Sequence, residues 1–143
     1  MFTDANTALD FILAGKSRFT LTSTVSGNSF TFKLDAPKDR ETGEVDRSIL
    51  FAKVLNGPDN SWNGDWLFLG FIREGGSLAG GKKGHPDAPS FRALDWTLAQ
   101  LAAGNLPESL EIRHEGQCGR CGRALTVPAS IDSGFGPRCA TQL

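Results

Sequence analysis

The placement of its cysteines constrains this chain more than any other feature. There are three, Cys118, Cys121 and Cys139, all within the last 26 residues. An odd number cannot close into a set of disulfides, and a C-terminal cluster of this kind in a reducing compartment points to metal. Cys118 and Cys121, with two residues between them, can face one ion across a tight turn. Gly119 and Gly122 let that turn aim backbone N–H groups at the thiolates. The stretch from Ser133 to Cys139 reads as a glycine turn into a helix with Pro137 at its first position. A thiolate near the start of a helix gains from its positive dipole end.

The spacing His114-x3-Cys118-x2-Cys121-x17-Cys139 therefore predicts one structural Zn²⁺. Knuckle, short hairpin and ligand-bearing helix follow one another in the order of a treble-clef zinc fold. His114, at the end of a strand, is the expected fourth ligand; His85 and a water molecule are the alternatives. Three buried free thiols are the plainer reading, but such thiols have no need of two-residue spacing between glycines.

The chain has 143 residues, enough for one domain, or one with a small appendage, around a core rich in its ten Phe and three Trp. Its formal charge of −1 gives no global reason to expect a polyanionic partner, so any basic surface must be local. No run of eighteen apolar residues is present, and Met1-Phe2-Thr3-Asp4 lacks the basic start of a signal peptide. A cytoplasmic protein with no membrane partner is expected.

Asp4 is placed to cap a helix running to Ala14, with Leu9, Ile12 and Leu13 on one face. Residues 18–24 and 29–34 alternate as a hairpin about the turn Ser26-Gly27-Asn28. Residues 35–48 are polar and read as an exposed loop. Residues 49–55 form a third strand and 65–72 a fourth, so apolar that both its faces are expected to be covered. A Gly-rich loop, 75–89, precedes a helix capped by Ser90 and running to about Ala103, with Leu94, Leu98 and Leu101 inward. A short strand, 110–113, leads into the metal site. The expected class is α+β: an antiparallel meander of about four strands with two helices, 1–110, followed by a treble-clef-like zinc module, 111–143.

The segment Glu111 to Ile131, containing Cys118-Gly119-Arg120-Cys121-Gly122-Arg123, together with Gly134-Phe135-Gly136-Pro137-Arg138-Cys139, resembles a family of small uncharacterised zinc proteins of phages, prophages and plasmids. The hairpin and residues 54–60 resemble the same proteins more loosely. The resemblance implies zinc and a bacterial host cell, and names no activity. By that context alone, small proteins of this type act on host machinery, including as inhibitors of bacterial defence systems of the anti-CRISPR kind.

No catalytic residues are expected. Gly76 to Lys83 nearly matches a phosphate-binding loop, but Lys83 stands where the magnesium-binding hydroxyl belongs, and Gly84-His85-Pro86 blocks the helix that should follow. No Ser/His/Asp set is visible, Glu115 is the lone carboxylate next to the cysteines, and the sequence signature of zinc deaminases is absent. The residues expected to contact phosphate or an acidic partner are Lys82, Lys83, Arg92, Arg120, Arg123 and Arg138. Shielding of the thiolates is the competing role for the arginines. Trp62 and Trp66 read as core residues, with one exposed binding anchor as the alternative. Two functions follow, and neither involves turnover of a small-molecule substrate. One is binding of nucleic acid or a nucleoprotein complex. The other is protein-directed inhibition of a bacterial defence system, or host takeover, through the meander and the acidic 35–48 loop.

Overall fold

The computed structural model describes residues 1–73, 77–125 and 128–140. Asp4 caps helix α1 (Ala5–Ile12), its carboxylate accepting the Thr7 N–H at 2.9 Å. This helix is shorter than expected. Ile12 is buried, but Leu13, the C-cap, is 37% exposed, and Phe11 takes the inward position instead. The backbone leaves helical geometry at Leu13, so the helical periodicity no longer applies there.

Among the described residues, six antiparallel strands follow: β1 (Lys16–Ser23), β2 (Ser29–Asp35), β3 (Ile49–Leu55), β4 (Trp66–Arg73), β5 (Leu78–Ala79) and β6 (Leu110–His114). Their order in the sheet is β5-β4-β3-β2-β1-β6. The expected four-strand meander is present and is extended at both edges. β5 arises inside the Gly-rich loop, where two residues carry too little pattern to mark a strand. β6, expected only as a lead-in to the metal site, pairs with β1 and puts Ile112 opposite Leu21. The expected boundary at residues 110 and 111 thus falls within an edge strand of the sheet.

Helix α2 (Pro89–Ala102) packs against α1, and its Phe91, Leu94, Leu98 and Leu101 are buried in the core. Ser90 does not cap it. Ala88 is the N-cap with no side-chain hydrogen bond, Pro89 opens the helix, and Ser90 is buried. A proline at the first position needs no N–H acceptor, which displaces the cap by two residues.

Strand alternation gives the sheet two unlike faces. Phe19, Leu21, Phe32, Leu34, Leu50, Ala52, Val54, Ile72 and Ile112 are buried against the helices, in one cluster that continues to Cys118, Phe135 and Cys139. The other face is open, contrary to the expectation for β4. Only Leu69, Gly70 and Ile72 of that strand are buried, while Trp66, Phe68 and Phe71 are half-exposed. A register shift at Ala52/Lys53 pairs Lys53 with Phe68 and Ala52 with Gly70, leaving Leu69 as the extra residue of a bulge. Neither Trp62 nor Trp66 joins the core; both lie on the open side.

Candidate metal centre

The turn bearing Cys118 and Cys121 is closed by its own backbone. The Cys118 N–H donates to the Arg123 carbonyl and the Gly122 N–H to the Cys118 carbonyl, both at 2.8 Å. The Leu125 N–H reaches the Gly116 carbonyl at 2.8 Å, and Gln117 bridges Ala124. Gly122 has φ 79°, a conformation that costs an L side chain about 1 kcal/mol or more. Two short helices follow, α3 (Pro128–Ser133) and α4 (Pro137–Ala140), and α4 carries Cys139. The helix over 128–133 was not expected from the sequence, where only Pro128 signals its start.

The sulfurs of Cys118, Cys121 and Cys139 lie within 4.8 Å of one another. A tetrahedral ion with metal–sulfur bonds of about 2.3 Å needs sulfurs roughly 3.8 Å apart, so small side-chain rotations suffice to close the group on a cation. The three cysteines could therefore hold a metal ion. Among the described residues, no other group of His, Cys, Asp and Glu does this. Cys118 and Cys139 are buried and Cys121 is exposed.

The electrostatics favour a thiolate at Cys118 and oppose one at Cys139. Burial pushes the Cys118 thiol up, but N–H groups of Gly136, Cys121 and Arg120 outweigh it and bring the pKa down to about 7. Cys139 is pushed up to about 11, first by burial and then by its hydrogen bonds to the other two sulfurs and by their charge. A cation among the three sulfurs would reverse that second effect and draw off the proton.

His114 is not brought into the thiol group. Its Nδ1 accepts the Gly116 N–H at 2.9 Å, and its Nε2 lies 2.5 Å from the Ile131 carbonyl. Both ring nitrogens thus meet backbone groups of the module, and the ring packs 5.6 Å from both Phe2 and Phe11. Phe11 is the wedge that docks the module on α1. A Cβ on Gly119 or on Gly134 would come within 2.5 Å of Cδ2 of its ring, and Phe135 packs against it at 6.1 Å. The Gly119 N–H donates to the Gly134 carbonyl, and the Lys16 N–H to the Gly119 carbonyl, both at 2.9 Å. His85 lies elsewhere, its N–H on the Leu69 carbonyl at 2.9 Å.

The expected phosphate-contacting residues scatter. Lys82 and Lys83 are exposed in the turn after β5, and Arg92 is exposed on α2. Arg123 is exposed beside the knuckle. The Arg138 side chain, and Gly76 of the near phosphate loop, fall outside the described residues. The described part of that loop is pinned to the sheet, with Leu78 buried opposite Ile72. Of those described, Arg120 alone joins a cleft with other cations. It lines a cleft of about 360 Å³ with Lys16, Lys38, Arg47, Trp62 and Asp35.

The cations that do come together were missed in the sequence. On the open face of the sheet, Arg18 lies opposite Lys33, Lys33 opposite Lys53, and Lys53 opposite Phe68. Three positive charges thus stand in line across neighbouring strands. Like charges directly opposite cost about 0.2–1 kcal/mol per pair. The Nζ of Lys33 donates to the Trp62 carbonyl and sits 4.6 Å from the centre of the Trp62 ring and 5.2 Å from that of Trp66. Arg18 lies 5.9 Å from Trp66, and Lys16 lies 5.4 Å from Trp62. The alternation of β2 put Lys33 on the non-core side, but only strand register could align it with Arg18 and Lys53.

A family model described as a family of unknown function (DUF6011) matches residues 108–143, which take in β6 and the cysteine module. The rest of the sheet lies outside the match. Neither the curated proteins nor the solved structures contain a match to this chain.

Proposed function

We propose that this chain is a non-enzymatic protein of phage or mobile-element type that binds nucleic acid or a nucleoprotein complex in a bacterial cytoplasm, with one Zn²⁺ holding its C-terminal module. The in-line cations Arg18, Lys33 and Lys53 carry the reading. The Trp62 carbonyl and two indoles hold Lys33, and Glu115 pairs with Arg18, but three cations in line still repel one another, and a polyanion offsets that repulsion and gains from it. Thiolate donors two residues apart, with backbone N–H groups on Cys118, favour zinc over harder cations. Held by the three thiolates, the ion would tie the turn of Cys118 and Cys121 to α4 and act as a scaffold. A rigid scaffold lowers the ordering cost of binding.

Fluorescence anisotropy with labelled oligonucleotides, repeated from low to high salt, tests the proposal. The logarithm of the affinity should fall linearly with log salt, with a slope corresponding to about three or more phosphates. Absence of binding at low salt would overturn it. The second reading, protein-directed inhibition of a bacterial defence system or host takeover, is favoured by Trp96, 45% exposed beside an apolar groove that includes Phe30, Ala93 and Leu110. It would show itself as capture of a bacterial protein that resists both nuclease and salt.

A further inference from the structure

The open face of the sheet is more specific than a general basic patch, and this inference rests on the nucleic-acid reading above. We infer that residues Arg18, Lys33, Lys53, Trp62, Trp66 and Phe68 form a binding surface for single-stranded nucleic acid, with bases stacked on the aromatic rings and phosphates over the cations between them.

Shape supports a single strand over a duplex. Lys33 is only 4% exposed and lies among the indoles of Trp62 and Trp66. The rigid backbone of a duplex meets cations that protrude, and cannot follow a surface where the charge is recessed between rings. An unpaired strand can splay its bases onto those rings and bring its phosphates toward Arg18 and Lys53, which flank the covered Lys33. The rings are accessible in part: Trp62, Trp66, Phe68 and Phe71 are all half-exposed.

Charge points the same way. Lys16, Arg18, Lys33, Lys53, Arg73 and Arg113 face this side, against the carboxylates Asp35, Glu111 and Glu115. Of these carboxylates, Glu111 is engaged by Arg113 at 3.5 Å and Glu115 by Arg18 at 3.9 Å. Arg18 Nε and Asp35 Oδ1 are buried without a hydrogen-bond partner among the described residues. Burial, then repulsion from Lys53, holds the Lys33 ammonium below the ordinary lysine range. An anion laid along the row would relieve that repulsion. The track also has a continuation. Lys16 and Trp62 belong both to this face and to the cleft with Lys38, Arg47 and Arg120, so a strand leaving the row runs on toward the metal module.

The test compares a labelled 12-nucleotide oligothymidylate, an oligouridylate of the same length and a 12-base-pair duplex on the metal-loaded full chain. Both single strands should bind at least about tenfold more tightly than the duplex and quench tryptophan fluorescence. The ratio of the two single strands shows whether DNA or RNA is preferred. K53E should weaken the single strands about tenfold and lower the salt slope by about one. W66A should weaken them by a similar factor with the salt slope unchanged, because it removes stacking and no charge. W96F should leave affinity and quenching intact. Metal content and melting temperature establish that each variant is folded. A duplex bound as tightly as the single strands would overturn the inference. So would K53E binding like the parent while K82E/K83E fails to bind, an outcome that leaves general nucleic-acid binding standing. Failure of the parent to bind any of the three would overturn both.

Discussion

The sheet and the cysteine module solve the same folding problem with different means. The sheet buries a continuous apolar face: Phe19, Phe32, Leu34, Leu69 and Ile112 are all fully enclosed. In the module, Phe135 and the two buried cysteines are the apolar residues enclosed among those described. Its two helices span six and four residues, too short to stand alone. A region so poor in apolar area must draw its stability from elsewhere, and the three sulfurs are the available source. The join between the two regions is Phe11, which belongs to α1 and packs beneath both Gly119 and Gly134.

The sharpest way to break this comparison is to remove the metal. Protein purified without chelator should contain about one zinc per chain. C118S, C139S or strong chelation should then abolish amide protection in residues 114–140 while the sheet stays protected, because structural zinc supplies on the order of 10 kcal/mol. Hydrogen exchange read by mass spectrometry distinguishes the regions, and an equal loss in both would mean that they fold as one. Metal uptake should also release protons, chiefly from Cys139, whose thiol holds its proton up to about 11. Apparent affinity should therefore climb as pH rises from 6 to 9, measurable with an indicator in weak buffer.

F11A should come next in size, at about 3–5 kcal/mol for a buried aromatic. It should loosen the module and α1 together and lower metal affinity without touching a ligand. A loss confined to α1 would show that the module docks by other contacts.

His114→Ala should have a smaller effect, about 1–3 kcal/mol, from the two backbone groups it leaves unpaired. Metal content should stay at one ion per chain, and His85→Ala should do nothing. A strong drop in zinc affinity for His114→Ala alone would instead make this histidine the fourth ligand. The smallest effect is at Asp4→Ala, which removes the cap of α1 and should cost about 1 kcal/mol in a denaturant titration.

Much of this molecule could be read locally. The hairpin of β1 and β2, the span of β3, the cap at Asp4 and the inward leucines of α2 all follow from alternation, helical periodicity and capping chemistry, which act over a few residues. The convergence of Cys118, Cys121 and Cys139 was legible for the same reason. Two of them sit on one turn, and a glycine turn with Pro137 delivers the third. Other features depend on partners distant in sequence. β6 finds β1 across about 90 residues, and β5 exists because β4 offers it an edge. His114 has two ring nitrogens that suit a metal by spacing, yet tertiary packing sets one beside the Ile131 carbonyl. The row of Arg18, Lys33 and Lys53 shows the limit best. Each residue's face follows from period-two alternation in its own strand, which the sequence determines by itself. That the three stand side by side depends on register, which long-range burial of the opposite face selects and only the tertiary structure decides.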